Sequence, residues 1–281
     1  MTTVPDDAYD DNPAATSTET VDVTKIVASA KCEDMKFWSP DSPNLYDVYT
    51  VLKDSEGNVL DVQKTTTGFR KVEYDINDGG LKINDQPVWL TGYAQRSTNE
   101  WAVIGVANDW LQDLDMQWIK ESNSNFIRWM HVAPKPSQIR SGDKYGVVSA
   151  CPAGDKEADV DGRAWDQRVE AMRDAMIYFR NSPSVIFWEA GNNAVTAAHQ
   201  QEMTDLKNTL DPNGERFCGC RTISSTDQIQ AADYVGTMLN RHASNAKASM
   251  AAIKKYVPIM ETEYAREEAP RRVWDDFSPP D

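Results

Sequence analysis

The sequence has no stretch approaching the roughly 18 consecutive apolar residues that a membrane-spanning helix needs, and its 40% hydrophobic residues are spread over 281 positions. A globular chain outside the membrane is the expectation. Cations are in the minority as well: 29 Lys and Arg stand against 44 Asp and Glu, for a net charge of -15. Phosphate backbones are bound by clustered Lys and Arg, so nucleic acid is excluded as an expected partner. No Gly-rich phosphate loop of the required spacing is present, which argues against nucleotide chemistry. Cysteine is sparse and unpatterned: Cys32, Cys151, Cys218 and Cys220 form no Cys-x-x-Cys pair, and Cys218-Gly219-Cys220 is too tight for ordinary zinc spacing. They read as free structural thiols, with no metal or cofactor implied. The start lacks the charged-then-apolar pattern of a signal peptide. That leaves the compartment open, a secreted or periplasmic longer form included.

What is present is organised around Pro183 to Asn193, Pro-Ser-Val-Ile-Phe-Trp-Glu-Ala-Gly-Asn-Asn. Val185 to Trp188 are β-branched and aromatic without polar alternation, as expected of a strand covered on both faces in a parallel sheet. With a period of two, Glu189, Gly191 and Asn193 share a face, and a carboxylate inside such a run is costly unless it meets partners. A second run, Val257 to Tyr264, delivers Glu261 and Glu263 on one strand face in the same way.

In chain order, residues 1–20 are rich in Asp, Thr, Ala and Pro with almost no large apolar side chain, and read as a disordered arm or linker. Short strands then follow at 21–28, 46–53 and 58–66, separated by turn-rich segments, a spacing that suggests a small antiparallel sandwich. A boundary is expected near residue 73. Beyond it strands and helices alternate: strand 88–92, helix 110–121, strands 126–132 and 146–150, helix 166–180, strand 185–190, helix 197–210, strands around 217–222 and 234–239, helix 243–256, and the strand carrying Glu263. Leu111, Leu114, Trp118 and Ile119 give the first helix an apolar face, and Val169, Met172, Met176, Ile177 and Phe179 do so for the second. Seven parallel strands, with acids at the ends of the fourth and seventh, predict an α/β fold, a (β/α)8 TIM barrel lacking its last strand and helix, whose chemistry sits at the carboxyl ends of the strands. Nine Trp residues are many for this length. Trp89, Trp129 and Trp188 lie in or beside strands, where core packing is the ordinary reading, whereas Trp101 falls in a loop after the first strand and is the best candidate for a sugar platform.

Three further motifs carry a resemblance. Phe37 to Tyr46 (Phe-Trp-Ser-Pro-Asp-Ser-Pro-Asn-Leu-Tyr) with Gly68-Phe69-Arg70, Leu81 to Gly92 (Leu-Lys-Ile-Asn-Asp-Gln-Pro-Val-Trp-Leu-Thr-Gly), and Asn125 to His131 (Asn-Phe-Ile-Arg-Trp-Met-His) together resemble glycoside hydrolase family 2, the β-galactosidases, β-glucuronidases and β-mannosidases. The resemblance implies an immunoglobulin-like β-sandwich over 21–72 and the catalytic barrel over 73–281, without the family's N-terminal jelly roll. It implies retaining, exo-acting hydrolysis of a β-linked sugar, β-galactosidase-like, with an oligosaccharide or β-glycoside as partner and oligomers possible in a full-length form. On it, Glu263 matches the nucleophile, Arg128 and His131 match active-site positions, and Asn192 matches the residue that contacts the sugar 2-hydroxyl. Asn193 stands where the family has its acid/base Glu. An amide is no proton donor of suitable pKa, so either Glu189 takes the role tentatively, or a loop acid does, or the chain is a catalytically silent carbohydrate-binding homologue.

Overall fold

The computed structural model describes residues 28–29, 31–75, 77–78, 80–96, 108–154, 158–222, 225–237 and 257–262. The arm at 1–20, nearly all of the strand expected at 21–28, Trp101, the helix expected at 243–256, and Glu263 with Tyr264 lie outside the described residues.

The N-terminal part is antiparallel. A short ribbon pairs β1 (Trp38–Ser39) with β2 (Ser42–Pro43), and a hairpin pairs β3 (Tyr46–Lys53) with β4 (Val59–Thr67). The Asp54 carboxylate accepts from the backbone N–H groups of Glu56 and Asn58, an Asx-type closure of the β3–β4 turn. A three-stranded sheet follows, β5 (Val72–Asp75), β6 (Gly80–Ile83) and β7 (Gln86–Pro87). Asn84 and Asp85 join β6 to β7 at φ 53° and 64°, the left-handed pair that a two-residue hairpin turn requires.

That hairpin corrects the start of the barrel. It uses the chain up to Pro87, Trp89 is left 84% exposed, and the first barrel strand, expected over 88–92, is instead β8 (Gly92–Arg96). From there α1 (Asp109–Glu121), β9 (Phe126–Met130), α2 (Pro136–Tyr145), β10 (Val148–Pro152), α3 (Arg163–Phe179), β11 (Val185–Glu189), α4 (Ala197–Leu210), β12 (Phe217–Cys220), α5 (Thr226–Ala231), β13 (Tyr234–Thr237) and β14 (Ile259–Glu261) follow in order. The seven strands β8 to β14 form one parallel sheet in sequence order, the greater part of a TIM barrel.

Two helices were not expected. In α2 the only large apolar residues are Ile139 and Tyr145, and the face it buries is mostly polar, including Gln138, Ser141 and Asp143. Gly146 caps α2 at φ 73°, which moves the next strand two residues on, to Val148–Pro152 rather than 146–150. The six-residue α5 is too short to show periodicity and is marked only by Ser225, whose side chain accepts from Gln228 N–H.

Two buried clusters separate the faces of the sheet. Ile127, Trp129, Cys151, Trp188, Cys218 and Cys220 pack against Met116, Ile139, Val169, Met172 and Met176 of the helices. Phe126, Val148, Ala150, Phe187 and Tyr234 pack on the other face with Trp38, Val72 and Ile83 from the N-terminal part. Alternation therefore turns Arg128 and Glu189 to the inner face, because their neighbours Ile127, Trp129, Trp188 and Ala190 all belong to the helix side. Ser149 pairs with Val185 but Ala150 with Phe187, so Ile186 is an extra residue in β11. This bulge sets the parity that sends Phe187 and Glu189 inward.

Candidate active site

All seven strands point their carboxyl ends to one rim, and Glu189 is the last residue of β11. It is 1% exposed, as is Arg128 of β9. Arg128 Nε donates to Glu189 Oε2 at 2.7 Å and Nη2 to Oε1 at 2.5 Å, a two-pronged pair across the intervening strand β10. Ala150, paired with Arg128 in register, is the small inner residue of β10 that leaves this path open. Arg128 Nη2 also donates to Asn192 Oδ1 at 2.9 Å. One guanidinium thus fixes the acid at the end of β11 and the amide three residues beyond it. The cost of a buried carboxylate, visible in the sequence, is met by an ion pair with additional hydrogen bonds.

The loop after β11 is held from its other side. Arg221 Nη2 donates to Asn193 Oδ1 at 2.6 Å and Arg221 Nε to the Asn192 carbonyl at 2.5 Å. Cys220 Sγ lies 3.0 and 2.8 Å from the carbonyl oxygens of Gly191 and Asn193, within reach of a single S–H that the two share. Burial pushes the Cys220 thiol up to about 12, with the Glu189 charge adding in the same direction. The thiol is therefore protonated and able to donate. Tyr234 lies buried on the inner face, its phenol pushed well above the ordinary range by burial first and by Glu189 second.

His131 follows β9 directly and is buried, at φ 71°. A non-glycine residue there is uncommon, and such conformations concentrate at sites where a side chain must be aimed. The structure thus brings Arg128, Glu189, Asn192 and Asn193 together and puts His131 at the end of the strand carrying Arg128. Trp129 and Trp188 are core residues, 1% and 0% exposed, so neither offers a sugar platform. Glu261 ends β14 opposite Thr237 of β13, and the Thr262 N–H donates to the Thr237 carbonyl, so the ladder runs to the residue before Glu263. Among the described residues no cluster of His, Cys, Asp and Glu could hold a metal, and all four cysteines are free.

The tentative acid/base role of Glu189 meets a geometric objection. Each of its oxygens accepts an Arg128 N–H and the residue is buried, whereas a proton donor must reach the leaving oxygen directly or through one water. Sequence reasoning missed Arg221 and Cys220. The one available signal was an Arg immediately after a short buried strand, at the rim where barrel chemistry collects.

The family model for glycosyl hydrolases family 2, TIM barrel domain, matches residues 74–271, and that for glycosyl hydrolases family 2 matches residues 2–70. A β-glucuronidase of Formosa agariphila is 35% identical over 260 residues, covering 92% of this chain and 25% of its own length. A β-galactosidase of Photobacterium profundum is 28% identical over 188 residues, covering 63% and 18%. Among solved structures, a β-glucuronidase from glycoside hydrolase family 2 superposes with a TM-score of 0.73 at 30% identity, covering 92% of this chain and 27% of the other. The chain spans about a quarter, or less, of the length of these relatives.

Proposed function

Because the chain belongs to glycosyl hydrolases family 2, we propose that it carries the catalytic face of a retaining, exo-acting glycosidase that cleaves β-linked sugars. The observation that carries this reading is the Arg128 fork, which joins Glu189 and Asn192 at the strand ends where barrel enzymes place their chemistry. In this reading Glu263 attacks the anomeric carbon, and the glycosyl–enzyme so formed is released by water. Arg128, His131, Asn192 and Asn193 line the sugar site, and Trp101 covers the ring. Residues 21–72 supply the sandwich and 73–281 the barrel.

Glu189 acts, in our assignment, as a positioning residue that holds Arg128 and, through it, Asn192. Retaining hydrolysis needs a second carboxyl group about 5 to 5.5 Å from the nucleophile, and Asn193 stands in its place. Leaving groups that need no proton then depart readily, and alkyl glycosides do not. The sequence resemblance favoured a β-galactoside. The more similar of the two curated relatives, at 35% against 28% identity, is named for a β-glucuronide, and we place the uronide first.

The test is hydrolysis of nitrophenyl β-glucuronide and nitrophenyl β-galactoside by wild type and Glu263→Ala. We expect turnover of at least one by wild type, accelerated by azide with a glycosyl azide product, and its loss by more than about 10³-fold in Glu263→Ala. Turnover surviving in Glu263→Ala rules out the nucleophile assignment. A second reading, a carbohydrate-binding protein without catalysis, draws on the Arg221 contact to the Asn193 amide at the expected acid/base position. Under that reading wild type binds the glycosides but turns none over.

A further inference from the structure

We infer that Cys220 and Arg221 form a clamp that positions the loop Gly191–Asn193, and with it the two amides proposed to meet the sugar. The inference deepens the proposed function and rests on it for the role of those amides. The loop needs such a clamp. Backbone pairing alongside β12 runs out with the Ala190 N–H on the Gly219 carbonyl and the Arg221 N–H on the Gly191 carbonyl, and the chain leaves the sheet at Asn192 and Asn193. The three carbonyls face Cys220, the last residue of β12, and Arg221, which follows it. Gly191 accepts from the Arg221 backbone N–H at 3.1 Å and Asn192 from Arg221 Nε, while the single S–H of Cys220 lies between the Gly191 and Asn193 carbonyls and serves one of them at a time.

Arg221 then reaches past the backbone to the Asn193 side chain through Nη2. The clamp therefore fixes the direction of one amide as well as the path of the chain, while Arg128 fixes the other. Space enforces the same path, since a Cβ on Gly191 would stand 2.9 Å from Val195 Cγ1 and 3.0 Å from the Asn193 carbonyl oxygen. Cys220 and Arg221 are both buried, so their hydrogen bonds do not compete with bulk water. Chemically the pair is specific: the guanidinium serves the Asn192 carbonyl and the Asn193 amide from two separate nitrogens held in a plane, a spread that the single nitrogen of a lysine does not reproduce, and a serine hydroxyl can replace the thiol as donor where alanine cannot.

The experiment compares Arg221→Met, Arg221→Lys, Cys220→Ala and Cys220→Ser with wild type in two assays. The first needs no activity: hydrogen exchange of the peptide covering Ala190–Thr196, with thermal unfolding as the control for global damage. Arg221→Met and Cys220→Ala are expected to speed exchange there at least tenfold beyond any change in the core strand β10, and Cys220→Ser to return it to within about threefold of wild type. Unchanged exchange in Arg221→Met overturns the clamp, whatever the enzyme does. The second assay reads kcat and KM on the nitrophenyl β-glycoside that wild type turns over. Arg221→Met and Arg221→Lys are expected to raise KM about tenfold or more with a smaller change in kcat. Faster exchange with unaltered KM overturns the positioning role. A wild type silent on every glycoside defeats the proposed function, and the exchange result still decides the clamp.

Discussion

At the scale of single residues, the Arg128–Glu189 pair has the most predictable energetics. Both groups are 1% exposed and joined by two hydrogen bonds, with Asn192 taking a further one. Removing one partner leaves an uncompensated buried charge, so Glu189→Leu is expected to cost about 3–5 kcal/mol. The double change Arg128→Met with Glu189→Leu replaces the pair by apolar groups of similar size and is expected to recover most of that loss. Urea unfolding of wild type and the two variants checks this: equal destabilisation by the single and double changes would mean that packing, not charge, sets the cost. The sequence made half of this site legible. A carboxylate closing the run Val-Ile-Phe-Trp had to meet a polar partner, and Asn192 and Asn193 followed it on the same short segment. The partner was not legible, because Arg128 lies 61 positions earlier and reaches Glu189 across a strand whose only contribution is a small side chain.

At the scale of elements, legibility followed apolar periodicity. Helices α1, α3 and α4 and the strands β9 to β13 carry continuous or periodic apolar residues and stand within a few positions of expectation, whereas α2 and α5 do not carry that signal and were missed. The polar burial that hid α2 has a thermodynamic consequence. Asp143, in its last turn, accepts from the Ser184 N–H at 2.9 Å just before β11 begins, and burial pushes its carboxyl up to about 6 from an ordinary 3.8. The folded state therefore binds a proton that the unfolded chain has released between about pH 4 and pH 6. Stability from this group falls as the pH rises through that window, by on the order of 3 kcal/mol once it is ionised. Asp143→Asn keeps an oxygen for Ser184 and removes the charge. Its stability relative to wild type is expected to rise from pH 4 to pH 6 and level off above, as read by denaturant midpoints across that range. A pH-independent difference would show that Asp143 does not titrate there.

At the scale of the whole molecule, the N-terminal part closes the end of the barrel opposite the candidate site. Trp38 is fully buried and donates its indole N–H to the Asp143 carbonyl at 2.8 Å, and the Val72 N–H donates to Glu215 Oε2 at 2.5 Å. Arg70 is the most connected residue of this contact: Nε donates to the Pro183 carbonyl at 2.6 Å, Nη1 to Gly214 at 3.2 Å and Nη2 to Val185 at 2.9 Å. Burial, with the like charge of Arg216 behind it, pushes Arg70 down to about 9, so these carbonyls must offset a large desolvation cost. The motif Gly68-Phe69-Arg70 was readable as a family signature, but its work, gripping the start of β11, is visible only in three dimensions. A lysine presents one ammonium where three divergent carbonyls wait. Arg70→Lys is therefore expected to lose about 2–4 kcal/mol, through carbonyls left without donors. Because the grip lies at the far end of β11 from Glu189, KM for the nitrophenyl glycoside is expected to stay within twofold while the unfolding midpoint drops. A large rise in KM without loss of stability would mean instead that the sandwich reaches the sugar site through β11.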